Sequence, residues 1–159
     1  MTDLSLIDIA ITAMLRTAFP DIPVIAEEVR EEIVRPAFKV LFGEITTSAD
    51  SVNFWQRRIP VEIVYFAKNT ADPKPECYTM ARKLAALLLR EKIVVADGTE
   101  ERAVFPVGEI RHGIGLGRSD ALLYVHFELD EQNAADEFED ESAAAAETME
   151  NLNMNLEVT

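Results

Sequence analysis

The sequence predicts an α+β domain: an antiparallel or mixed β-sheet with two amphipathic helices packed on it, followed by a C-terminal acidic tether and a strand-like arm. Three observations predict it. Two segments repeat apolar residues at helical spacing, Leu4, Ile7, Ile11, Met14, Leu15 and Ala18 in one, Cys77, Met80, Leu84, Leu87 and Leu88 in the other. Several other segments alternate apolar with polar residues, the signature of strands with one buried face. The charge is lopsided. All 15 Lys and Arg residues and 19 of the 29 acidic ones lie in residues 1–129, and residues 130–159 hold the other ten acids without one basic residue.

Taken in order, Thr2 or Asp3 can cap the first helix and Pro20 stops it. Phe19 to Pro23 reads as a turn and Val24 to Val29 as a short strand leading into the charged run Glu27 to Glu32. Pro36 opens a strand over Ala37 to Ile45, with Phe38, Val40 and Phe42 on one face, and Thr46 to Ser51 reads as a polar turn. Asn53 to Ala67 is the longest strand, with Ile59, Val61, Ile63 and Tyr65 on its apolar face. Pro60 has no N–H to give a ladder, which predicts an edge or a bulge there.

Asp72-Pro73-Lys74-Pro75-Glu76 starts the second helix, with Asp72 as the candidate cap, and that helix ends near Lys92. Asp97-Gly98 joins Ile93–Ala96 to Arg102–Val107 as a hairpin. Arg111 to Arg118, with Gly113, Gly115 and Gly117, reads as a loop, and Asp120 to Leu129 as the last strand of the body. The expected organisation is a body over residues 1–129, a tether over 130–148 and an arm over 149–159.

The formal charge of −14 argues against nucleic acid as a bound ligand, since phosphate binding needs clustered Lys and Arg. It leaves open a surface that DNA slides past. The single cysteine, Cys77, fits a reducing compartment. The acidic start, Met1-Thr2-Asp3, is unlike a signal peptide, and no apolar run approaches the ~20 residues that span a bilayer, so a soluble cytoplasmic product is expected.

Candidate chemistry is sparse. The Gly113-x-Gly115-x-Gly117 segment lacks the strand-before, helix-after context of a phosphate loop. His112 and His126 have no metal-ligand or catalytic partners at a recognised spacing, and Cys77 sits on an apolar helix stripe. No catalytic, cofactor or metal residue is therefore assigned, and no enzyme activity is expected. Phe54-Trp55-Gln56-Arg57-Arg58 is richer: Trp and Arg are favoured at the centres of protein interfaces. The same residues read equally as a Trp closing the end of the core with arginines snorkelling beside it. The candidate interface residues are Phe54, Trp55, Arg57, Arg58, Arg111 and Arg118, together with Leu152, Met154, Leu156 and Val158. These last four alternate with polar residues in an otherwise acidic tail. A tether of ~18 residues has a typical reach of roughly 25 Å as a coil, enough for a strand-like tip to add to a neighbouring copy as easily as to its own sheet.

Several stretches resemble the phage tail terminator family: Phe19-Pro20 through Ala26-Glu27-Glu28-Val29; Pro36-Ala37-Phe38-Lys39-Val40-Leu41; Arg57-Arg58 running into Val61-Glu62-Ile63-Val64-Tyr65-Phe66; Asp120 to His126-Phe127; and Met149-Glu150-Asn151-Leu152. The Gly113–Gly117 segment departs from the family pattern in its glycine content. The resemblance implies a small subunit of a sixfold ring on the head-proximal end of a tail tube. Such a ring stops tube polymerisation and offers a surface to the head's connector, while DNA passes through its hole. Its implied partners are copies of itself, the tail tube protein, and sheath and connector or neck proteins. Its implied location is the tail and neck region of the virion, assembled in the bacterial host's cytoplasm. Two other readings stand beside it: a neck or head-completion adaptor on the connector side, and a small ligand-binding or enzymatic domain using the glycine segment.

Overall fold

The computed structural model describes residues 1–26, 33–115 and 121–134. Helix α1 spans Leu4–Ala18. Asp3 caps it, its Oδ1 accepting the Ser5 N–H and the Ser5 hydroxyl, both at 2.9 Å. Those hydrogen bonds, the backbone one first, hold the exposed Asp3 carboxyl below its ordinary value. Ile7, Ile11 and Leu15 form the buried stripe, and the Phe19 N–H closes the helix onto the Leu15 carbonyl ahead of Pro20.

Strand β1 is Val24–Ile25, β2 is Ala37–Phe42, β3 is Thr46–Ala49 and β4 is Phe54–Phe66. Helix α2 spans Lys74–Arg90, β5 Ile93–Asp97, β6 Glu100–Phe105, β7 Ile110–Gly115 and β8 Leu122–Ala134. Among the described residues, six strands form one sheet in the order β1-β2-β4-β8-β7, with β3 also on β4. Only β1–β2 is parallel, so the sheet is mixed and the fold is α+β, as its sequence predicts. β5 and β6 form a separate two-stranded hairpin, turned at Gly98, whose φ of 66° is the left-handed conformation glycine adopts cheaply.

One face of the sheet is the core. Ile59, Val61, Ile63 and Tyr65 of β4, with Leu123, Val125, Phe127 and Leu129 of β8, meet α1, the α2 stripe and the hairpin's Ile93, Val95 and Phe105 in a single cluster. Phe38 lies at its heart, its ring 5.3 Å from both Phe19 and Tyr65. The other face holds a small apolar cluster of Ala37, Val64 and Phe66 at one end and charged residues along the rest.

The structure corrects several expectations. Thr46–Ala49 is a strand rather than part of a turn, pairing Thr46↔Arg58 through Ala49↔Trp55. Polar side chains hid it because all four residues are exposed on a sheet margin, where main-chain pairing alone holds them. Pro60 sits inside the central strand, opposite Glu128. It does so where β2 has ended and β3 has not begun, and its carbonyl accepts the Gly43 N–H at 2.9 Å. Its missing N–H therefore faces a gap between strands rather than a partner.

Residues 110–115 form an edge strand instead of a loop, so Gly113 and Gly115 are strand residues, while Leu116 to Asp120, with Gly117 and Arg118, lie outside the described residues. β8 continues past Leu129 to Ala134, because Asp130 and Glu131 meet the arginines of β4 rather than opening a solvated tether. Pro73, not Asp72, is the cap position of α2. Of the Val24 to Val29 strand, Val24–Ile25 is observed, and residues 27–32, the whole of that charged run, lie outside the described residues.

Candidate assembly surfaces

The Phe54–Arg58 segment is the start of β4, paired with the end of β8, and strand alternation sends its residues to opposite faces. Arg57 faces the core side and is only 6% exposed. Its Nη2 meets Glu131 Oε2 at 2.7 Å as an ion pair lying outside hydrogen-bond angles, and it also donates to the Thr2 carbonyl. Glu131 Oε1 in turn accepts the Thr2 N–H at 2.8 Å and the Thr2 hydroxyl. The pair thus clips the chain's first residues onto the sheet. Trp55 is half-buried on the same side, between Ala49 and Asn133. Asn133 Nδ2 and Arg57 Nε are buried without a hydrogen-bond partner.

Arg58 takes the opposite face, exposed, with Nε 3.3 Å from Asp130 and 3.5 Å from Glu128. Phe54 shares that face, and Val52, at the tip of the β3–β4 turn, is 94% exposed. Arg111 is exposed on β7 and paired to Glu109 at 3.2 Å. The segment therefore splits between the two readings it admits from sequence: Arg57 and Trp55 close the end of the core, while Phe54 and Arg58 face outward. Arg118, Leu152, Met154, Leu156 and Val158 lie outside the described residues.

Sequence reasoning missed the row Glu62–His126–Arg111, which the sheet register aligns across three strands on the outer face. His126 Nδ1 lies 3.0 Å from Glu62 Oε2. The row floors an open groove of about 920 Å³, walled by Leu41, Pro60 and Glu128 and by the 106–109 segment. A His–carboxylate pair is half of an acid–base device, but the other half is a nucleophile within hydrogen-bond reach. The described lining has no Ser, Thr or Cys. No sequence signal would have found the row, since Glu62 on β4 and His126 on β8 are 64 residues apart, Arg111 lies on β7, and only strand register joins them. Cys77 is fully buried, and that burial, with the Glu76 charge beside it, pushes its thiol up and away from reactivity.

Tyr65 and Glu76 form a hydrogen-bonded knot where a buried strand meets the start of α2. The Tyr65 hydroxyl donates to Glu76 Oε1 at 2.6 Å, and the Lys68 and Asn69 N–H groups donate at 2.7 and 3.0 Å. Burial alone would raise the Glu76 pKa, but these donors outweigh it and leave the carboxyl below its ordinary value. Burial first, then Glu76, drives the Tyr65 hydroxyl upward. The knot fixes the β4–α2 turn and has no free group to offer a substrate.

The described residues combine a main core on one sheet face, paired charges on the other, and exposed apolar residues at a hairpin tip. The chain belongs to the phage tail terminator protein family, whose pattern matches residues 7–130, from within α1 nearly to the end of β8. That family is a structural one, made of phage tail components. No curated protein matches the chain. One solved structure aligns over 84% of this chain and 96% of its own, with 17% identity and a TM-score of 0.42. Among the described residues no helix is long and apolar enough to cross a membrane.

Proposed function

We propose that the protein forms a ring, built from six copies, that caps the head-proximal end of the tail tube, stops its polymerisation and provides the surface for joining the head. The family match over residues 7–130 carries this reading. Ring closure is a heterologous interface that returns on itself, so each copy must present two different surfaces. The outward Phe54, Arg58 and Arg111 are candidates for one of them, and the arm with Leu152, Met154, Leu156 and Val158 for another. The partners are other copies, the tube protein, and sheath and connector or neck proteins. DNA passes through the hole without specific binding, in keeping with the net charge of −14.

The test is electron microscopy of tails made with and without the gene. Loss of the protein yields tubes of uncontrolled length that do not join heads, and supplying it restores a fixed length. Tubes of normal length in its absence would overturn the reading.

A further inference from the structure

Among the described residues the sheet ends at β7. β7 pairs with β8 on one side and has no strand on the other among the described residues. Beside that edge runs an exposed stripe of α2: Tyr78, Arg82, Ala85 and Leu89 recur at i, i+4, i+7 and i+11. Tyr78 is 57% and Leu89 58% exposed, away from the helix's buried stripe. Tyr78, Ala81, Arg82 and Ala85 of α2 and His112 of β7 line one depression of about 410 Å³, so helix stripe and strand edge are a single surface.

We infer that this surface receives the alternating tip of the C-terminal arm, Leu152 to Val158, from a neighbouring copy of the chain, as an added strand on β7. Size, pattern and charge agree. A seven-residue strand is ~20 Å long, β7 with six residues is nearly as long, and Tyr78 to Leu89 spans ~16 Å. In a strand on that edge, Leu152, Met154, Leu156 and Val158 lie on the α2 side, with His112 and Ile114. Asn153, Asn155 and Glu157 then share the open side with Arg111 and Gly113.

Charge complements charge. Residues 135–159 hold eight acids and no base. The α2 surface and its exit carry Lys74, Arg82, Lys83 and Lys92, exposed and in no ion pair among the described residues. The other margins fit less well: β1 has two residues, and β3 is exposed throughout with only Thr, Ser and Ala to offer.

Reach permits a neighbour. Ala134 lies seven residues along β8 from Phe127, the partner of Ile110 at the near end of β7, a distance of ~24 Å. The 17 residues from 135 to 151 typically span roughly 21–25 Å as a coil, which serves a neighbour's edge as well as the chain's own, and assembly of copies is what selects the neighbour. The inference rests on the reading that copies assemble, and it names where one copy holds the next.

The experiment uses the full chain. Amide hydrogen exchange across residues 110–115 is measured at rising protein concentration, for the native protein and for Met154→Asp/Leu156→Asp. The native protein shows slowing of at least about tenfold that grows with concentration, and the variant shows none. Equal exchange in both overturns the inference, and slowing that ignores concentration assigns the edge to the chain's own arm or to nothing, which overturns the neighbour.

A second arm of the test mixes two tagged full-length chains, one with Gly113→Cys and the other with Asn153→Cys, Asn155→Cys or Glu157→Cys. A side chain at Gly113 meets open space, so the variant folds. Under oxidation at least one pairing gives a disulfide between the two tags. None from any pairing overturns the inference. Tail length scored separately keeps the two proposals apart: tails capped at normal length by a protein whose β7 stays unprotected would sink the arm's docking site and leave the terminator reading intact.

Discussion

Arg57 and Arg58 are adjacent in sequence and opposite in fate. One is 6% exposed and clipped between Glu131 and the Thr2 carbonyl; the other is half exposed and straddles Glu128 and Asp130 at 3.5 and 3.3 Å. The contrast extends along the whole β4–β8 pair. On the core side, side chains are locked by packing, so changes there are read as stability. On the outer side, charge pairs sit in water, where each is worth ~0–1 kcal/mol. Selection for assembly can therefore rewrite the outer face at little cost to the fold.

Breaking the buried side gives the largest effect. Arg57→Ala removes one partner of a nearly buried ion pair and leaves the Glu131 carboxylate with only Thr2, so unfolding free energy falls by about 3–5 kcal/mol. Denaturant melts measure it. The sharper version is Arg57→Met/Glu131→Met, which removes both charges together and costs much less than the single change. A single Arg57→Ala that melts like the native protein would show that the clip is not structural, and the two faces would no longer differ.

The sequence carried the core side almost completely. Ile7, Ile11, Leu15, Ile59, Val61, Ile63 and the α2 stripe lie where periodicity puts them, because burying apolar area is what shapes both pattern and fold. It failed where main-chain pairing acts without a side-chain pattern. Thr46–Ala49 and Ile110–Gly115 are margins of the sheet, and neither alternation nor burial marks a polar or glycine-bearing strand. The Arg57–Glu131 pair and the Glu62–His126 contact join residues more than sixty positions apart. Only the register of β4 on β8 brings them together, and one sequence does not disclose register. The acids of Asp130 and Glu131 read as tether for the same reason.

The middle-sized effect tests the knot at the rim of the core. Glu76→Gln keeps the shape but replaces charge-assisted hydrogen bonds from Tyr65, Lys68 and Asn69 with weaker ones, a loss of about 1–2 kcal/mol at pH 7. Because the folded-state pKa of Glu76 is lowered, its contribution is fully present above the ordinary value of 4.5. It disappears as pH falls through the lower folded value. Native and variant melting curves therefore separate at neutral pH and converge in acid. Curves that stay equally far apart down to strongly acid pH would show that the carboxylate's charge is not what holds the turn.

The smallest expected change in stability belongs to Arg58, and it discriminates best between fold and function. Arg58→Glu reverses a charge that is half exposed and loosely paired, so the cost in stability is at most about 1 kcal/mol, part of it repulsion from Glu128 and Asp130. If the outer face is a ring or tube contact, the same substitution places like charge against a partner built for an arginine. Capping of tubes then fails in a protein that melts almost normally. Loss of capping together with a large drop in melting temperature would mean that Arg58 belongs to the fold. Normal capping would remove Arg58 from the interface and direct attention to Phe54 and Val52, which are exposed at the same end of the sheet without a charge.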